Sequence, residues 1–438
     1  MKLRCWLLLP WLVACPAKDA AVPVDLKAIP FPLHQYVARL EHPSAPIRQA
    51  AANDLDAYTS DGLSVEHARW MLRAARRSFL DPSVPRRMVA WGSRGFVGPE
   101  IVPAITEVFV ELPAEGQAEA LTWLTKIKDP AASTAFVKLL EPLPLSDESW
   151  LDLAALREEP RDAEHYFPAL FRRLDSGDWF EITHTTLAYL EAGTLTPEVA
   201  GAALPGLLER WNQIRPALRS ADGRRGLEWR WDADYSSPRA DAALLLDVFG
   251  HLPGAASEAV LKEALHLRDP RIRVFASTSA LQLGLHLPAD RITQTATFPE
   301  VRCLLYERLA NLERLELMPE AHRTQAALAE GDLARWLTHP DELGRAPDQL
   351  ELYRVEHHSN PEGQPQAWFL FRFRTEAPHP LAERGWMAGV AGPYPPDTVA
   401  TSGSGTFSDF VSWGELEPDE HSADLRARSQ PLPEDSDD

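Results

Sequence analysis

Four short segments of this chain share one pattern, and that pattern restricts the fold more than any other feature. They are Ile47-Arg48-Gln49-Ala50-Ala51, Pro85-Arg86-Arg87-Met88-Val89, Ile272-Arg273-Val274-Phe275-Ala276 and Val301-Arg302-Cys303-Leu304-Leu305. Each has an apolar residue or Pro, then Arg, one free position, and a small or apolar pair. Pro43, Pro82, Pro270 and Pro299 precede them by two to four residues. Pro at or just before a first helical turn loses nothing, because that N–H has no partner inside the helix. The ninth position is apolar in three segments (Leu55, Ala280 and Leu309) and is Ser93 in the fourth. First, fourth, fifth and ninth positions share one helical face. The pattern predicts helices that each bury the same face.

Spacing extends the pattern into a repeat. Arg48 and Arg86 are 38 positions apart; Arg86 and Arg273 are 187 apart, close to five units of about 37. Arg273 and Arg302 are 29 apart, a shortened unit. Between these anchors lie further amphipathic segments at 65–79, 101–111, 117–127, 131–140, 163–174, 181–191, 197–210, 239–249 and 257–267. Asp129-Pro130 and Asp269-Pro270 read as matching turns between helices. One helix pair cannot bury its own apolar face, so such units must stack.

The pattern resembles the HEAT repeat, a helical hairpin of about forty residues that stacks into a solenoid. Asp269-Pro270-Arg271-Ile272-Arg273, followed by Ala276 and Ala280-Leu281, carries the resemblance most fully. His42-Pro43 through Arg48, Ala50-Ala51 and Leu55 comes next. The resemblance implies an α-solenoid over 33–345 in which Arg48, Arg86, Asp269, Arg273 and Arg302 are structural ladder residues, with Asp and Arg of the turns pairing along the stack. Residues 141–238 depart from the pattern and read as degenerate or interrupted repeats. HEAT arrays mostly bind other proteins and occasionally do chemistry, so the likeness names no partner.

The start of the chain is informative in a different way. Lys2 and Arg4 precede the apolar run Trp6–Val13. As a helix that run reaches only about 12 Å, against a hydrocarbon core of about 30 Å. It reads as a signal segment and not as a membrane span. Leu12-Val13-Ala14-Cys15 resembles the lipobox of bacterial lipoproteins, which implies a signal peptide over 1–14, acylation at Cys15, and a membrane-tethered mature chain. The alternatives are an ordinary signal cut after Ala17 and an uncleaved start. Cys5 would leave with the signal and Cys15 would carry lipid. Cys303 alone would remain, so no disulfide is expected inside the chain. Cys303 lies in an apolar helical pattern and reads as buried and inert.

Charge narrows the partners. The net charge is −20, and loss of Lys2 and Arg4 would take it to −22. Nucleic acid demands a basic surface, so it is excluded as a partner. Anionic headgroups would repel the chain as well, which leaves covalent lipid at Cys15 as the membrane contact. The expected location is the bacterial cell envelope, on an outer membrane facing the periplasm or the exterior.

Residues 15–32 read as a Pro-stiffened tether, 346–415 as a β-rich module and 416–438 as an acidic disordered tail. In the module, Leu350–Val355 and Ala367–Arg374 alternate apolar and polar residues around a turn at Ser359–Gly363 and predict a hairpin. Trp386–Tyr394 and Thr406–Trp413 read as further strands. Such a sheet either caps the open end of the helical stack or serves as a binding module.

No constellation in the sequence carries chemistry. His357-His358 reads as a strand end before it reads as a metal pair. Asp232-Ala233-Asp234 lacks the remaining ligands of a calcium loop. Gly403-Ser404-Gly405-Thr406 reads as a hairpin loop, not a phosphate cradle. No catalytic residue, metal or cofactor is expected. Trp229, Trp231 and Tyr235, in the loop-like stretch 220–237, have the aromatic-and-charge character of a partner-binding hot spot. The competing reading packs the two tryptophans onto the helices as the loop's own core. The sequence thus points to a lipid-anchored, non-catalytic scaffold that holds an unknown envelope protein. The alternative is an envelope enzyme or cofactor-loading or assembly factor, with its site in the β-module or the 220–237 loop.

Overall fold

A computed structural model describes residues 33–146, 151–376, 379–396 and 398–429. Cys15, the expected signal segment and the tether lie outside these residues. The chain divides into two compact units, 1–185 and 186–438.

In the first unit the helices are α1 (Leu33–Leu40), α2 (Ala45–Ser60), α3 (Val65–Ala74), α4 (Val84–Gly95), α5 (Val102–Val108), α6 (Ala114–Lys126), α7 (Pro130–Leu140), α8 (Ala154–Glu158) and α9 (Ala163–Phe171). Helix α10 (Trp179–Glu191) runs through the division. Helices pack on their sequence neighbours and on their next-but-one neighbours. Even-numbered helices follow one another (α2 on α4, α4 on α6, α6 on α8), and so do odd-numbered ones (α3 on α5, α5 on α7, α7 on α9). The inward face is the one the repeat pattern marks: Pro85, Met88, Val89 and Ser93 are all buried. Asp129 starts α7 as expected, accepting the Ala131 amide at 2.8 Å ahead of Pro130.

The second unit continues with α11 (Pro197–Ala200), α12 (Leu204–Asp222), α13 (Ala233–His251), α14 (Ala255–Ala264), α15 (Pro270–Gln282), α16 (Ala289–Ala296), α17 (Pro299–Asn311) and α18 (Gln325–Leu337). Here α13 packs on α15, α15 on α17, and α17 on α18. Ile272, Phe275, Ala276 and Ala280 are buried on α15, and Val301, Leu305 and Leu309 on α17. Each amphipathic segment read from the sequence contains a helix, including those in the degenerate stretch, although 65–79, 163–174 and 257–267 leave the helix three to five residues early.

The ladder residues do a different job from the one expected. Arg48 donates to the carbonyl of His42 at 2.9 Å, Arg273 to that of Leu267 at 2.6 Å, and Arg302 to that of Ala296 at 3.0 Å. Each reaches back six residues, to the last turn of the preceding helix or just past it. These carbonyls lack helical partners, and the guanidinium supplies one. Among the described residues, no ion pair joins Arg273 to Asp269. Its Oδ1 caps α15 through the Arg271 and Ile272 amides, and its nearest guanidinium is Arg239 at 3.9 Å. Arg86 departs from the device. It is exposed and, among the described residues, its ion pair is with Glu119, at 3.6 Å.

The sheet is antiparallel, ordered β1 (Gln349–Ser359), β2 (Pro365–Arg374), β3 (Met387–Tyr394). Its hairpin turns where expected: Gly363 adopts φ +80°, and Asn360 Oδ1 accepts the Gln364 amide at 2.7 Å. Three sequence expectations need correction. Residues 406–413 form two isolated bridges to β3 and no strand, because Ser408 and Asp409 bond their own neighbours and Phe410 takes φ +60°. The boundary at 345/346 does not separate sheet from helices, because Leu333 and Leu337 of α18 share a core with Phe369, Phe371, Phe373 and Met387. The tail is not disordered from 416: Pro418–Ser429 forms α19, which packs on β3.

Candidate functional site

Helices α13, α15 and α17 carry a polar cluster built from residues far apart in the chain. Asp247 and His251 are one turn apart on α13. Thr278 and Gln282 hold the matching positions on α15, and Arg308 comes from α17. The helices approach closely because Gly250 faces Ser279: a Cβ at 250 would lie 2.9 Å from the Ser279 Cα. Arg308 clamps Asp247 with two nitrogens, Nη1 reaching Oδ2 at 3.2 Å and Nη2 reaching Oδ1 more closely. Its Nε donates to the Thr278 hydroxyl at 2.8 Å. The guanidinium also stacks 4.6 Å from the Phe275 ring centre. Gln282 Nε2 lies 3.0 Å from the His251 ring.

Burial governs the electrostatics. It pushes the Asp247 carboxyl up to about 6, although Arg308 pulls in the opposite direction. Burial, with Arg308 second, also lowers His251. An acid raised by burial beside a fixed cation is a feature that functional sites share with structural ion-pair networks. The pair is not sealed: the Asp247 side chain is 11% exposed and that of Arg308 24%. Arg271, Phe275, Thr278 and Gln282 continue one stripe of α15 along the same face, with Arg271 and Gln282 open to solvent.

The sequence-marked aromatics sit elsewhere and turn inward. Trp229 is buried, packs edge-on against Tyr235 at 5.0 Å, and donates to the Gly226 carbonyl at 3.2 Å. Tyr235 is buried as well, and burial followed by the Asp269 charge raises its phenol. Trp231 is half-buried between the guanidinium groups of Arg230 and Arg239, at 5.2 and 5.5 Å. Arg230 also pairs with Glu300 at 2.5 Å. Arg268 fastens the loop by donating to the carbonyls of Asp222, Arg224 and Gly226. The three aromatics therefore form the loop's own core, and Trp229 and Tyr235 are not presented to a partner.

Sequence reasoning missed Asp332. It is buried on α18, and its Oδ2 accepts from Tyr394 at 2.7 Å, Gly403 N at 2.8 Å and Thr406 Oγ1 at 2.5 Å. Gly403-Ser404-Gly405-Thr406 is thus bound at both ends to a carboxylate of α18. Its only sequence signal is an Asp beside the apolar Leu328, Ala329 and Leu333. Cys303 fits its expectation: it is buried, and burial pushes the thiol up to about 12.

In the first unit a cavity of about 610 Å3 is lined by Arg86, Glu115, Glu119, Thr122, Leu151 and Asp152, among others. None of these charged side chains is buried, so they lack the environment that distinguishes Asp247. Among the described residues, no group of three or more His, Cys, Asp or Glu side chains is placed to hold a metal ion. His358 at the end of β1 meets Glu356 and Arg426 instead. No described helix is long and apolar enough to cross a membrane. Compared with known proteins, the chain matches no family model, no curated protein and no solved structure.

Proposed function

We propose that this protein is a lipid-anchored scaffold of the bacterial envelope, which holds a partner protein on a surface of stacked helical hairpins without catalysing a reaction. The solenoid reading draws support from next-but-one helix packing within each unit and from the repeated guanidinium tie at Arg48, Arg273 and Arg302. The anchor reading rests on Leu12-Val13-Ala14-Cys15 behind a short apolar run.

One observation carries the binding reading: the α13–α15–α17 face combines a partly exposed Arg308–Asp247 pair with Phe275, Arg271 and Gln282. Arg and aromatic groups together are what interface hot spots use. The acidity of the chain would speed association with a basic partner. Two measurements test the proposal. Fatty-acid labelling should vanish in Cys15→Ser; labelling that persists refutes the anchor. Affinity purification from crosslinked envelopes should recover a partner with the native chain and lose it with Arg271→Glu plus Gln282→Glu. Equal recovery from both refutes the binding face.

A further inference from the structure

Helix α19 is an unusual element to find packed on a sheet. Of its twelve residues, Pro418 to Ser429, only Ala423, Leu425 and Ala427 have ordinary apolar side chains beyond the initial Pro, and of the three only Leu425 is buried. Even so, it covers the apolar strip of Trp368, Leu370, Ala388 and Val390 on the β2–β3 face, with Leu425 completing that core. Phe407 and Trp413 pack on its margin.

Ion pairs and hydrogen bonds supplement this small apolar contact. Glu356 of β1 is the hub: it accepts from Ser422 Oγ at 2.7 Å, from Arg426 more closely, and from His358 at 3.0 Å. Arg354 binds Asp419 at the start of α19, and Arg428 binds Asp409 at its end, at 3.2 Å. His421 stacks on Trp413 with centres 5.2 Å apart and planes 9° apart. Asp419 and Glu420 in the first turn and Arg426 and Arg428 in the last also suit the helix dipole, so the helix does not depend on the sheet alone.

We propose that α19 is an ionically latched cover that leaves the sheet as a unit when the Glu356 contacts are weakened, while the sheet stays folded. Its departure uncovers Trp368, Leu370 and Val390 together with Trp413. Burial raises the Glu356 carboxyl, but the hydrogen bonds from Ser422, His358 and Arg426 prevail and hold it at about 2. The latch is therefore charged at ordinary pH, and ionic strength is its natural control. Screening shortens from about 10 Å at 0.1 M salt to about 3 Å at 1 M, and the half-exposed outer pairs feel it first.

Amide hydrogen exchange on the full chain tests this, with Glu356→Gln compared with the native protein. In the variant, amides of 419–429 should exchange about tenfold faster or more, while those of β2 and β3 change by less than about twofold. The native chain raised from about 0.1 to about 1 M NaCl should show the same local loosening, and it serves if the variant fails to fold. Unchanged exchange in α19, or equal loosening of α19 and the sheet, overturns the proposal.

Discussion

Asp247 on α13 and Arg308 on α17 meet through two guanidinium nitrogens, 61 residues apart in sequence, with Thr278 and Phe275 of α15 holding the guanidinium between them. Three helices are thereby joined by one charge pair. Its two members reach the surface of the face to which we assign partner binding.

The raised Asp247 carboxyl has a consequence for stability. It titrates at about 6 in the fold and near 3.9 in an unfolded chain. The native state keeps a proton that the unfolded state has already released, so stability falls as pH rises through this window. The difference bounds the loss at roughly 3 kcal/mol. Asp247→Asn lacks this group. Urea unfolding should show the native chain losing stability relative to the variant between about pH 4 and about pH 6.5. A relative gain over that range contradicts the assignment.

Gly250→Ala should destabilise the second unit. The new Cβ meets the backbone of Ser279 at 2.9 Å and its Cβ at 2.8 Å, and a backbone atom cannot rotate away. A net cost of roughly 1–2 kcal/mol is expected after the gain in helix propensity. Gly201→Ala has open space around it and should be neutral or stabilising. Thermal unfolding of the two variants side by side decides the matter.

The tie from Arg302 reaches the Ala296 and Ala327 carbonyls and Glu330, with its side chain 5% exposed. Arg302→Ala removes the partner of the Ala296 carbonyl and of Glu330 and leaves a cavity, and should cost roughly 2 kcal/mol. Arg86→Ala removes a solvent-facing contact and should stay within about 0.5 kcal/mol. Similar losses from both would mean that the repeated arginines are not what joins the hairpins.

Asp332→Asn replaces the carboxylate with one amide oxygen for Tyr394, Gly403 and Thr406 and turns an NH2 towards the Arg335 donor. A loss of about 2 kcal/mol is expected. The Gly403 amide, bonded directly to the carboxylate, should be among those whose exchange accelerates most. Unchanged exchange at that amide would remove Asp332 as the anchor of this loop.

Much of the helical architecture was legible because it is written locally. The buried series Ile272, Ala276 and Ala280 follows the helical period, and Asp129-Pro130 and Asp269-Pro270 start helices by capping chemistry. The hairpin was legible for the same reason, through Asn360 and Gly363. Features that depend on distant partners were not. Aromatics beside charges at 229–235 fit either surface or core, with core favoured, until Arg268 is seen to fasten the loop. Residues 418–429 look disordered because Leu425 is nearly their only apolar anchor, and their ion partners lie at 354, 356 and 409. The Asp247–Arg308 pair has no local trace, since neither residue predicts the other. Arg48, Arg273 and Arg302 each bond a carbonyl six residues back, an acceptor that no side-chain pattern reveals, and Arg86, which fits the same pattern, does not.

The central claim is that the α13–α15–α17 face receives a partner. A photo-crosslinking residue placed at Gln282, exposed beside His251, tests it most directly when compared with one at Glu258, which is half-buried on α14, outside the three helices of the cluster, and pairs with Lys262. Irradiation of intact envelopes should give a discrete adduct from position 282, absent from position 258 and lost when Arg271→Glu is added. Equal adducts from both positions, or none from position 282, would contradict the account.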